Sequence, residues 1–198
     1  MTDFVVGHAR YFPPTDLGAD TVLVVPDGLE AMAPVVQLQS IIAAVAGRGP
    51  DIMPQKDFVE TLFAQVQVIA CGHMANNAAL RRLYTARCCF VDTFFPGGDG
   101  YFVKSISDPF GYGKNAITLG ASSREGLLAA FAVFEDRVRS NAGVLDRVHA
   151  AQFEHTLPPF PAEAQLERMV QDDLDTWDGI WVSTPFRGGQ VENYAWYY

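Results

Sequence analysis

Cys71 and His73 stand two residues apart at the end of the apolar run QVQVIACG, close enough for a thiol and an imidazole to share one strand end. A cysteine nucleophile needs a base beside it and a third group to orient that base. No orienting group is visible in the sequence, so the pair reads as a buried thiol and a loop histidine. His8, His149 and His155 form no HxH, HExxH or Cys/His grouping, and no metal is expected. Cys88 and Cys89 are adjacent, which suits neither a metal site nor a disulfide framework. No GxSxG nucleophile turn is present either.

The stretch NAITLGASSREGLLAAF, residues 115–131, runs from an apolar strand through Gly120 into an amphipathic helix. A phosphate cradle would require GxxxxGK[ST] or GxGxxG, because several backbone N–H groups must converge on the anion and glycines permit that approach. Neither pattern occurs, and no cofactor is expected. Ser122 and Glu125 instead have the S-x-x-E spacing of a capping box. Asn76-Asn77 follows a strand at its carboxyl end, where open α/β sheets bind ligands, but helix capping accounts for it more simply. A self-contained small-molecule or nucleotide-binding α/β enzyme would have to use Cys71, His73 and the turn at Gly120.

Near the end of the chain, Asp172, Asp173 and Asp175 read as the solvated face of a charged helix. Beyond them Trp177, Trp181, Tyr194, Trp196, Tyr197 and Tyr198 concentrate aromatic surface, with Arg187, Glu192 and Asn193 between. Aromatic faces stack on sugar rings while charged groups fix orientation, which makes Trp181, Arg187, Glu192, Tyr194 and Trp196 the carbohydrate-binding candidates. The competing reading is a docking surface for another domain or chain.

The elements that must position these residues are those of an α/β domain. TVLVV at 21–25 ends at Pro26-Asp27-Gly28 as a buried strand meets a turn. A helix follows, with Asp27 and Glu30 at capping-box spacing, an apolar stripe at Met32, Val35, Val36, Ile42 and Val45, and a stop at Gly47. Pro34 must lie in its first turn or kink it. Strands are expected at 51–54 and 66–70, then a helix carrying Leu80, Leu83, Tyr84 and the stem of Arg87. GYFVKSIS and NAITLG read as an antiparallel hairpin, and residues 123–140 as a helix ending near Asn141 with Arg137 and Arg139 in its last turn.

The fold expected is α/β, a mixed sheet of about four or five strands covered by helices, with a C-terminal helix-loop extension. Residues 1–150 form the α/β domain, and 151–198 a Pro-rich linker, a helix and the aromatic-rich start of a further domain. Among the 198 residues, 49% are hydrophobic and 19% charged, a globular composition without the run of about 20 apolar residues that a membrane helix needs. A net charge of −9 with scattered basic residues excludes a nucleic-acid surface. The start, MTDFVVGHARYFPP, shows no basic segment followed by an apolar one, so a cytoplasmic location is expected unless a leader was removed.

GDGYFVKSI, followed after a loop by NAITLGASSREGLLAAFAVFEDRV, resembles the non-catalytic N-terminal domain that precedes the barrel in alpha-glucuronidases and hexosaminidases. The likeness covers residues 20–140 and rests on element order together with Gly100, Tyr101 and Gly126. It implies an accessory role within a larger glycoside hydrolase or polysaccharide lyase, with carbohydrate as the partner. Those enzymes keep their catalytic carboxylates in a following domain, so the resemblance transfers no catalytic residue. Cys88-Cys89-Phe90 and the loop FFPGGDG have no counterpart in that pattern. A structural or surface-assembly module is the third reading.

Overall fold

Three strands bury every residue along their length, as happens only where a sheet is covered on both faces. The computed structural model describes residues 14–146 and 148–153. In chain order these hold β1 (Thr15–Asp16), β2 (Thr21–Val25), α1 (Ala33–Ala46), β3 (Asp51–Pro54), α2 (Leu62–Gln65), β4 (Gln67–Gly72), α3 (Ala78–Thr85), β5 (Tyr101–Ile106), β6 (Ala116–Ala121), α4 (Arg124–Ser140), β7 (Val144–Leu145) and β8 (His149–Gln152). Six of the strands make one mixed sheet in the order β3-β2-β4-β6-β5-β8. The first four are parallel, and β5 runs antiparallel to both β6 and β8.

Side-chain alternation divides the core in two. Leu23, Val25, Ile69, Cys71, Ile117 and Leu119 face α1 and α4, while Val22, Val24, Val68, Ala70 and Ala116 face Phe63 of α2 and Leu80 and Leu83 of α3. The result is a three-layer α/β/α domain. The α/β fold and the β5–β6 hairpin agree with the sequence reading. The sheet has one strand more than expected: β8 reads as polar sequence, HAAQ, and is a strand because its backbone pairs with Tyr101–Lys104. It carries the sheet to Gln152, past the boundary at residue 150 expected from composition.

Two caps differ from the sequence reading. The first helix starts at Ala33, with Pro34 in its first turn and no side-chain cap; the Asp27 carboxylate instead accepts from Gln55 Nε2 at 2.8 Å and from the backbone N–H of Lys56 at 3.1 Å. Asp27 thereby ties the β2 turn to the end of β3. The last helix is capped by Ser123, whose Oγ accepts from the Gly126 N–H at 3.0 Å, and Ser122 is left for another task. Arg87 lies beyond α3 at φ 59°, outside the helical face its stem was expected to follow.

Candidate functional site

In a doubly wound sheet, ligands bind outside the carboxyl ends of the strands, between neighbours whose connections leave on opposite faces. Here those neighbours are β2, followed by α1, and β4, followed by α3. Asn77 occupies the position between them. Its side chain is fully buried, and its Nδ2 donates to the Val24 and Cys71 carbonyls, both at 2.9 Å. Its Oδ1 accepts from the Ala79 and Leu80 N–H groups at 2.9 and 3.2 Å, capping α3. One amide thus satisfies two strand ends and two helix donors, and it spends all its hydrogen-bonding capacity inside the fold.

The next crevice, between β4 and β6, is closed by the loop that follows α3. Met74 donates its N–H to the Val91 carbonyl at 3.0 Å, and the Val91 side chain rests on Gly120, where a β-carbon would come within 2.4 Å of it. Asp92 organises the loop: its Oδ1 accepts from the Phe94 and Phe95 N–H groups at 2.7 and 2.8 Å, and its Oδ2 accepts from the Tyr84 hydroxyl at 3.3 Å. Ser122 Oγ donates to the Asp92 carbonyl at 3.0 Å and accepts from the Gly97 N–H at 3.2 Å. The serine at the turn after Gly120 therefore holds a loop in place. The two glycines of the turn work by leaving room, since a β-carbon on Gly126 would lie 2.2 Å from the Gly100 carbonyl oxygen.

Burial raises the thiols and lowers the imidazole. Cys71 is buried in the α1/α4 core and burial drives its thiol far above the ordinary range. Cys89 is pushed up to about 12, chiefly by burial, and Cys88 is raised by the same cause against the pull of Lys104 and Arg82. His73 is half-buried, with its Nδ1 accepting from the Ala75 N–H at 3.3 Å and its own backbone N–H donating to Asn76 Oδ1 at 2.8 Å. Burial lowers the imidazole, opposed by the negative charge of Asp92. Among the described residues no three His, Cys, Asp or Glu side chains come together as a metal site. No described helix is long and apolar enough to cross a membrane.

The sequence reading placed Cys71, His73, Asn76, Asn77, Gly120 and Ser122 at strand ends, and the structure gathers all of them along one edge of the sheet. What it missed was Asp92. The Asp-x-Phe-Phe spacing, with a side-chain oxygen able to accept from the N–H groups two and three residues on, is the signal that marks such a turn. The carbohydrate candidates Trp181, Arg187, Glu192, Tyr194 and Trp196, and the acidic cluster at Asp172, Asp173 and Asp175, lie outside the described residues. No family model matches the chain, and no curated protein matches it.

Proposed function

We infer that the α/β domain serves as a non-catalytic accessory domain of a larger carbohydrate-active enzyme, a glycoside hydrolase or a polysaccharide lyase. The observation that carries the accessory half of this reading is the filled carboxyl edge. Asn77 takes the crevice between β2 and β4, and Val91 covers the one between β4 and β6. A nucleotide or small-substrate enzyme of this architecture would need that space and those backbone donors free.

The carbohydrate half rests on the resemblance to the domain that precedes the barrel in alpha-glucuronidases and hexosaminidases. Of its markers, Tyr101 opens β5, and Gly126 lets the first turn of α4 come against the carbonyl of Gly100, the residue before that strand. They make a hairpin-to-helix packing unit, a task of architecture. Two measurements test the reading. Sequencing the gene past Tyr198 should reveal a following domain with paired catalytic carboxylates. The 198-residue chain, incubated with aryl glycosides and with uronate-containing polysaccharides, should release no product; turnover by this chain would contradict the accessory role.

A further inference from the structure

At the other end of the sheet, by the amino ends of β4 and β6, lies a cavity of about 460 Å³ lined by Glu60, Thr61, Phe63, Gln65, Arg82 and Tyr112 among others. Its base is aromatic. Phe63 and Phe110 lie 4.7 Å apart with their rings tilted by 57°, Phe58 packs edge to face behind Phe63 at 5.4 Å, and the Arg82 guanidinium carbon lies 4.5 Å from the centre of the Phe110 ring. Glu60 Oε2 accepts from Arg82 Nε at 3.0 Å in a pair that stays open to solvent, so the guanidinium has a ring and a carboxylate as neighbours. Its two Nη groups lie outside that bond.

Tyr112 lines the cavity from a turn between two glycines. Gly111 and Gly113 on either side of it adopt left-handed conformations at φ 77° and 73°. The loop is pinned at its foot, where the Gly113 N–H donates to Asp108 Oδ1 at 2.9 Å and the Asp108 N–H donates to Asn115 Oδ1 at 3.1 Å. Asp108 itself is left-handed at φ 41°, a conformation that a surrounding structure must enforce. The tyrosine between these glycines is 59% exposed, so its ring is open to a ligand.

We propose that this cavity binds a neutral pyranose ring, with Tyr112 stacking on its C–H face and Glu60, Arg82, Thr61 and Gln65 meeting its hydroxyls. Vicinal hydroxyls require donors and acceptors side by side, and the guanidinium Nη groups, the carboxylate, the threonine hydroxyl and the glutamine amide supply both. An anion would require uncompensated positive charge, which Glu60 removes. A wholly apolar ligand would leave these polar groups desolvated without partners. The choice of a sugar among neutral polar ligands rests on the carbohydrate reading above; the existence of the cavity does not.

Titrating the full chain with methyl glucopyranoside and with xylobiose, followed by amide proton–nitrogen correlation spectra, tests the assignment. Amides of Thr61, Ala64, Gln65 and Tyr112 should shift and saturate in the millimolar range. Tyr112→Ala should weaken binding about tenfold or more with the unfolding midpoint unchanged, and Glu60→Gln should weaken it as well. The proposal fails if those amides stay still at high sugar, if Tyr112→Ala binds as tightly as the parent, or if glucuronate or ATP binds there more tightly than the neutral sugars. A silent cavity in a chain without turnover leaves the accessory role standing, whereas sugar binding with turnover keeps the site and overturns that role.

Discussion

Val91 rests on Gly120, with its two methyl carbons 2.4 and 2.9 Å from where a β-carbon on the glycine would be. A glycine within a buried strand normally weakens it, and here, near the carboxyl end of β6, it is the room into which the covering loop fits. Gly120→Ala should therefore cost about 1–3 kcal/mol through overpacking. Val91→Ala in the same chain should recover part of that loss, because the obstructing atoms are a side chain. Urea unfolding of the two single variants and the double variant reads the coupling, and strictly additive losses would contradict the contact.

Gly126→Ala should behave differently. The obstructing atom is the backbone carbonyl oxygen of Gly100, 2.2 Å from where the alanine methyl would lie, and no side-chain truncation can relieve it. The loss should be at least as large as for Gly120→Ala, with early fraying of the loop before β5 in hydrogen exchange. An alanine that stabilised α4 by its better helix propensity, about 1 kcal/mol, would show that the close approach is absent.

Asn77→Ala removes a helix cap and leaves the Val24 and Cys71 carbonyls buried without the amide that donates to them. The expected loss is about 2–4 kcal/mol, combining a cap of about 1 kcal/mol with desolvated carbonyls at about 1 kcal/mol or more each. Asn77→Asp should be no better, because it keeps the cap acceptor while turning an acceptor toward two carbonyl oxygens. Equal stability of Asn77→Asp and the parent in urea unfolding would mean that the two carbonyl bonds contribute nothing.

Thiol reactivity follows from burial. In the native chain at mildly alkaline pH, Cys71 and Cys89 should resist a thiol-specific disulfide reagent and Cys88 should react slowly, with all three titrating after denaturation. Rapid native labelling of Cys71, read by peptide mass, would contradict the core position and revive a nucleophilic role.

His73 should give the stability a pH dependence of definite sign. Burial keeps its folded-state value below the ordinary one, so the unfolded chain binds the proton more readily. Its contribution is complete at neutral pH and is lost as pH falls through the unfolded imidazole value, about 6.5, toward the lower folded one. The drop in urea midpoint on acidification should be smaller in His73→Gln than in the parent, and a larger drop in the variant would reverse the assignment.

Much of the fold was legible because its central strands and helices obey simple periods. TVLVV, QVIACG and AITLGA are apolar without alternation, as strands covered on both faces must be, and Leu80 and Leu83 mark the buried side of α3. β8 was hidden because HAAQ has no strand preference of its own and takes its conformation from β5. The caps misled for a related reason. S-x-x-E and D-x-x-E spacings mark residues able to cap, while tertiary partners decide the outcome: Ser122 is engaged by Asp92 and Gly97, and Asp27 by Gln55 and Lys56. At the sheet edge, Cys71, His73, Asn77, Gly120 and Ser122 could be placed at strand ends from the sequence, and that is where they lie. Their closure depends on Val91 and Asp92 reaching positions far along the chain, at Gly120 and Ser122, which no local spacing records.

Amide shift mapping of the full chain with ATP, NAD and a nucleotide sugar tests the filled carboxyl edge most directly. With that edge filled, the amides of Gly72, His73, Asn77, Gly120 and Ser122 should stay unmoved up to millimolar ligand. Saturable shifts at those amides at sub-millimolar ligand would contradict it, and would make this edge a nucleotide site.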